Sequence, residues 1–161
     1  MEKLDKGLLD FSVLAETPDE RKYEYLAFPE AEEWVLIMPE DDPLAEKKVI
    51  TVNDLMGLPL FCSSQSWEKD IPRWAGRKMS GLHLEGSFRL SYNASVFTRE
   101  HLGYLLTFSR LIDTSAGSGL TSRLLSPKLE TKLYLVWKKY RAFSPIAERF
   151  LERIKTSFYA E

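Results

Sequence analysis

Cysteine is almost missing from this sequence. Cys62 is the only one, which excludes an internal disulfide and any zinc site built from several cysteines, and fits a reducing compartment. Histidine is nearly as scarce: His83 and His101 stand alone, in no His-Glu-x-x-His pair and beside no Gly-x-Ser-x-Gly elbow. No charge of one sign dominates. The 22 Lys and Arg against 24 Asp and Glu leave a net charge of -2, so the chain has no broad field with which to grip nucleic acid by itself. Long apolar runs are lacking too. The opening MEKLDKGLLDF mixes charge with its apolar positions and has no signal-peptide core, and no stretch reaches membrane-spanning length. Internal repeats, low-complexity tracts and heptad runs do not occur. The expectation is a cytoplasmic protein with no membrane partner, no metal and no cofactor.

With 161 residues, 44% of them apolar, there is enough material to bury a core, in one domain or two small lobes. Short apolar runs alternate with helical patterns, the order of an α/β fold with parallel strands. Leu8 to Leu14 and Trp34 to Met38 read as strands closed by Pro18 and Pro39, with the charged ETPDERKYEY between them as a loop. Asp41 to Lys48 is a polar connection containing Pro43 and a natural crossing between lobes. Thr51 caps a short helix, VNDLM, that Gly57 ends; the strand LPLFCS follows.

Further on, Ser66 to Lys78 reads as an irregular or helical connection, Leu84 to Tyr92 as a strand, and Ala94 to Leu102 as a helix capped by Asn93 and stopped by Gly103. Leu105 to Phe108 reads as a buried strand, and the Gly/Ser-rich Thr114 to Gly119 as a turn where the chain crosses back. Leu124 and Leu125 sit in a short strand closed by Pro127, and KLYLVWKK is another. Ser144 and Pro145 then supply an N-cap and a first-turn proline. In the helix that follows, Ala147, Phe150, Leu151, Ile154 and Phe158 form one apolar stripe.

Three of these stretches, in order, resemble the effector-binding domain of LysR-type transcriptional regulators: ITVNDLMGLPLFCSSQS from Ile50 to Ser66, LSYNASVFTREHLGYLLTFSRLI from Leu90 to Ile112, and LSPKLETKLYLVWKKYRAFSPIAERFLERIK from Leu125 to Lys155. The third is the most specific. The second departs from the family, which commonly has glycine where this chain has His101. KGLLDFSVL adds a weaker match to a Gly-x-Leu-Asp segment in the family's first lobe. The resemblance implies an α/β, two-lobed, periplasmic-binding-protein-like (type 2) fold whose first lobe is incomplete at its N-terminal side. Residues 1–42 and 117–161 would form lobe 1 and residues 43–116 lobe 2. It also implies a small-molecule effector held in the crevice between lobes, a homo-oligomer, and DNA contact only through a DNA-binding domain absent from this chain. Under this truncation Leu8 to Leu14 would be an unpaired sheet edge, which predicts dimerisation, strand exchange or poor solubility there.

Open parallel sheets bind ligands beyond the carboxyl ends of their strands. That places Ser63, Ser64 and Gln65, after LPLFC, at an effector site, with backbone amides suited to a carboxylate. The bland alternative is an ordinary helix-capping turn. Tyr92 and Asn93 would face the same crevice, although Asn93 also serves as a plain N-cap. Ala15, Glu16 and Thr17 follow the first strand and would line the opposite wall. Cys62 reads as a buried small hydrophobe, both histidines as structural or surface groups, and the run Glu40, Asp41 and Asp42 as a solvated hinge loop. Trp67 and Trp74 near Arg73, Arg77 and Lys78 could stack bases, but packing or partner contact explains them better. No catalytic residue is assigned. The rival readings are a solute-binding protein of the same two-lobed design, and an interaction fragment that pairs with an intact regulator.

Overall fold

Trp34, Val35, Leu36, Ile37 and Met38 are apolar without a break, and all five are at most 3% exposed, because both faces of their strand are covered. Trp34, Leu36 and Met38 point into one core cluster, while Val35 and Ile37 point into another. A strand buried on two sides shows no polar alternation. Each such side chain contributes about 1.5–3 kcal/mol of burial. These residues belong to a 17-residue strand, β2 (Tyr23–Pro39).

The computed structural model describes residues 1–159. Its contacts separate two compact units: residues 1–31 with those from 131 onward, and residues 32–130. The polar segments Asp41–Lys48 and Thr114–Gly119, expected to carry the crossings, both lie inside the second unit. The chain passes between units within β2 and at the start of β8 (Glu130–Lys138).

In the first unit the strand order is β1 (Ser12–Leu14), β8, β2. β1 runs antiparallel to β8, with Val13 opposite Leu135. The short helix α1 (Glu2–Asp5) and the C-terminal helix α4 (Pro145–Tyr159) complete the unit. Leu26, Leu135, Trp137 and Leu151 pack with Phe11, Phe28 and Phe158, while Leu4, Tyr23 and Val136 form a separate cluster. The apolar stripe of α4 is therefore used as its spacing requires, and Ser144 Oγ accepts from the Ala147 amide at 3.3 Å as its cap. The expected strand Leu8–Leu14 shrinks to its last three residues. Arg141 takes the carbonyls of Gly7 and Leu9 (3.1 and 2.6 Å), which holds that stretch in a turn. The expected loop ETPDERKYEY ends early, since Tyr23 to Tyr25 already belong to β2.

The second unit contains β3 (Val49–Thr51), β4 (Pro59–Ser63), β5 (His83–Phe88), β6 (Tyr104–Phe108) and β7 (Leu120–Ser126) beside the second part of β2. β4 is parallel to β5 and β6, and β3 to β7. The sheet is mixed: beside these parallel pairs, β2 runs antiparallel to both β6 and β7. Helix α2 (Ser64–Ala75) covers one face through Ile71 and Trp74. Helix α3 (Ser91–Arg99) covers the other through Ala94.

Local signals act where they were expected at Thr51: its amide and hydroxyl both donate to Asp54 Oδ2 at 2.8 Å. The turn they start is a 3-10 helix over Val52–Leu55, and Gly57, at φ +73°, ends it.

α3 corrects two expectations. It begins at Ser91 with Leu90 as N-cap, so Asn93 lies within the first turn and is not the cap. Ser91 Oγ and Thr107 Oγ1 share a hydrogen bond at 2.9 Å, which ties the helix start to β6. At its other end the amides of His101 and Leu102 donate to the carbonyls of Thr98 and Phe97, each at 3.0 Å. This pair of bonds is a Schellman motif, and His101 occupies its left-handed position at φ +57°, where glycine is usual.

Candidate functional site

The parallel strands β4, β5 and β6 share one direction, so their carboxyl ends lie at one edge of the second unit, and there the chain turns into α2 and α3. Ser63 is paired with Phe88 across β4 and β5. Its Oγ accepts from the Ser66 amide at 3.2 Å, which makes it the N-cap of α2. Ser64 and Gln65 form the exposed first turn, and first-turn amides have no acceptor within the helix. At α3 the N-cap Leu90 supplies no side-chain acceptor. Two helix N-termini at one edge give a partly positive rim suited to an anion.

Tyr92 is 68% exposed on the first turn of α3, and Asn93 stands beside it. Thus five of the sequence-selected residues, Ser63, Ser64, Gln65, Tyr92 and Asn93, fall at the ends and starts of these elements. Glu16 and Thr17 are exposed and follow β1 in the first unit.

A cavity of about 400 Å³ opens next to Asn93, walled by Phe61, Phe88 and Phe97 and edged by Ser87 and Arg89. Beside it the register of β5 slips against β4 between Leu60 and Phe61. Leu84 stays beside Leu60, while Gly86 comes opposite Phe61, and such a bulge redirects the side chains that follow it. A Cβ on Gly86 would meet the Phe61 ring at 3.2 Å. On the other flank a Cβ on Gly103 would lie 2.6 Å from the Pro59 carbonyl and 2.7 Å from the same ring. Phe61 fits only between two glycines, and its ring sits 5.7 Å from that of Phe97. These wall residues escape a search for polar loops; the only sequence trace is a lone glycine inside the strand pattern of β5.

The other groups singled out from sequence are committed to structure. Cys62 is fully buried, and burial pushes its thiol up to about 12, so it carries no thiolate at neutral pH. Asp42 accepts from the Leu44 amide at 2.8 Å and from the Tyr104 hydroxyl at 2.7 Å. Burial and that carboxylate push the Tyr104 phenol up to about 12. A larger cavity of about 520 Å³ is lined by Glu40, Asp41, Asp42 and Glu46, but its one cation, Arg123, is spent on the Ala45 and Lys47 carbonyls. His83 faces Glu85 at 3.1 Å and His101 faces Asp41 at 3.7 Å, all of them exposed. Trp74 donates to the Pro127 carbonyl at 2.7 Å and Arg73 to that of Glu130 at 3.0 Å. Both groups serve packing, as expected. Among the described residues no three His, Cys, Asp or Glu groups gather to hold a metal, and no helix is long and apolar enough to cross a membrane.

The family model for the LysR substrate binding domain matches residues 1–158. The chain belongs to that family. A LysR substrate-binding domain is the effector-binding regulatory part of a transcription regulator, and the mixed α/β architecture is the type 2 periplasmic-binding-protein-like fold of the family.

Solved structures agree on the fold of this LysR domain. The regulatory domain of CcmR from Synechocystis PCC6803, in complex with 2-PG, has a TM-score of 0.81 at 17% identity, covering 98% of this chain and 77% of that one. The effector binding domain of QuiR in complex with shikimate has a TM-score of 0.78 at 18% identity, covering 99% and 77%. HinK, a LysR family transcriptional regulator from Pseudomonas aeruginosa, has a TM-score of 0.76 at 15% identity. The present chain is covered to 98% in that match and spans 55% of HinK. Comparison with curated proteins returns no match.

Proposed function

We propose that this LysR substrate-binding domain senses a small-molecule effector at the carboxyl edge of its second unit and catalyses no reaction. Ser63, Ser64 and Gln65 would supply first-turn amides and hydroxyls, and Tyr92 and Asn93 a second side. The single observation that carries the reading is the meeting of the α2 and α3 N-termini at the ends of parallel strands. Anion-binding groups are pre-formed there, while Cys62 is buried and Asp42 and Asp54 are held in local hydrogen bonds. The output is a conformational bias: an effector shifts an equilibrium only by its difference in affinity for two arrangements. In an intact cytoplasmic regulator that bias would reach DNA through a separate DNA-binding domain, in a homo-oligomer.

A thermal-shift screen of small organic acids tests the reading. A ligand at about 100 times its Kd stabilises the fold by about 2.7 kcal/mol, so a true effector raises Tm by several degrees. A hit whose effect is unchanged in both Ser64→Ala and Tyr92→Ala contradicts the assignment.

A second reading has one observation in its favour. β1 ends the strand order of its sheet, and its Val13 is 51% exposed, so the domain could also pair with another chain through that edge. Light scattering at increasing concentration checks it; a monomer throughout removes it.

A further inference from the structure

The cavity beneath α3 has a composition that selects a ligand class. Three phenyl rings, those of Phe61, Phe88 and Phe97, form its walls. Phe97 is 51% exposed, so an apolar body lying against it would remove surface from water that the fold itself leaves wet. The polar groups at the edge are Ser87, Arg89 and Asn93. Arg89 is the one charged residue of the lining, and no carboxylate joins it. Its guanidinium makes no ion pair or hydrogen bond among the described residues. The volume of about 400 Å³ lies at the small end of ligand pockets, which run from about 300 to 1,000 Å³. It has room for an aromatic body with a short polar arm.

We infer that the cavity binds a small aromatic carboxylate, its ring system stacked among Phe61, Phe88 and Phe97 and its carboxylate held by Arg89 and Asn93. The inference rests on the effector-sensing reading and names the effector's chemical class. It departs from the strand-tip assignment in placing the ligand body under α3, with Ser63 to Gln65 outside the contact. A planar guanidinium binds a carboxylate through two parallel bonds, and aromatic walls prefer a flat apolar body in offset or edge-on contact. Gly86 lies tight against Phe61, and a Cβ there would push on the ring at 3.2 Å.

The test uses the full chain, benzoate as the probe and benzyl alcohol as its neutral counterpart, followed by amide NMR and calorimetry. Expected are benzoate-induced shifts confined to residues 86–97, affinity for benzyl alcohol weaker by about tenfold or more, and a similar loss for benzoate in Arg89→Gln. Gly86→Val should abolish binding by filling the space. Should that variant fail to fold, Arg89→Gln alters only an exposed side chain and keeps the test intact. Benzoate shifts centred on residues 63–65 and indifferent to Arg89→Gln would overturn the inference while leaving the strand-tip reading standing. An absence of shifts in either region would overturn the inference as well, and the screen of organic acids would then decide the broader reading by itself.

Discussion

Replacing His101 by glycine should stabilise the domain, although it deletes a side chain and a possible ion pair. His101 holds the left-handed position of the motif that ends α3, at φ +57°. A side chain there crowds the following carbonyl, costing roughly 1–2 kcal/mol. Glycine removes that crowding but brings extra freedom to the unfolded chain, worth roughly 0.5–1 kcal/mol against it. The His101 to Asp41 contact, at 3.7 Å with both side chains more than half exposed, is solvent-screened and adds little. The net expectation for His101→Gly is a gain of about 0.5–1 kcal/mol. For a chain of this size that is a Tm rise of about 1–4 °C. Urea titration followed by circular dichroism at neutral pH reads it directly. His101→Ala serves as the control: it loses the ion pair and keeps the left-handed strain, so its midpoint should stay near that of the parent. A His101→Gly midpoint below the parent, or one matched by His101→Ala, would refute the reasoning, because the ion pair or the ring would then outweigh the backbone.

Two further substitutions test the local physics. Asp54 accepts from Lys47 at 2.5 Å and from Thr51, and these bonds, the Lys47 one foremost, hold its carboxyl down at about 2. A depressed folded-state value stabilises above the unfolded value near 4 and is lost as pH falls towards 2. Asp54→Asn should therefore cost about 2 kcal/mol at neutral pH, and its deficit relative to the parent should vanish between about pH 4 and pH 2; a pH-independent deficit would contradict this. Ser144→Ala removes the cap of α4 and should cost about 1 kcal/mol in thermal unfolding, with Ser144→Asp close to the parent.

Much of the fold is legible in the residues because local and global preferences agree. Ser144, Pro145 and the stripe through Leu151 and Phe158 place α4 without help from the rest of the chain. LPLFCS reads as a buried strand because Leu60 and Cys62 fill one core and Phe61 the other. Where reading fails, a distant contact decides. Asn93 is a better intrinsic cap than Leu90, yet α3 starts at Ser91 because that hydroxyl meets Thr107 on β6, and no local rule foresees it. Tyr23 to Tyr25 reads as the end of the charged loop ETPDERKYEY, while the buried positions Tyr23 and Leu26 show only once β8 lies alongside. The site divides in the same way. Ser63, Ser64 and Gln65 follow from the rule that ligands gather at strand ends. The phenyl-walled cavity does not, because its walls come from apolar residues of β4, β5 and α3 that meet only in the folded chain.

The central claim is that an effector is recognised at the strand ends and first helical turns of the second unit. Amide NMR of the full chain, titrated with the strongest hit from the organic-acid screen, tests it most directly. The account predicts saturable shifts concentrated at residues 63–66, at residues 86–97 or at both, with the remaining amides of that unit nearly still. Saturable shifts centred on the acidic loop from Glu40 to Glu46, with residues 63–66 and 86–97 unmoved, would contradict it.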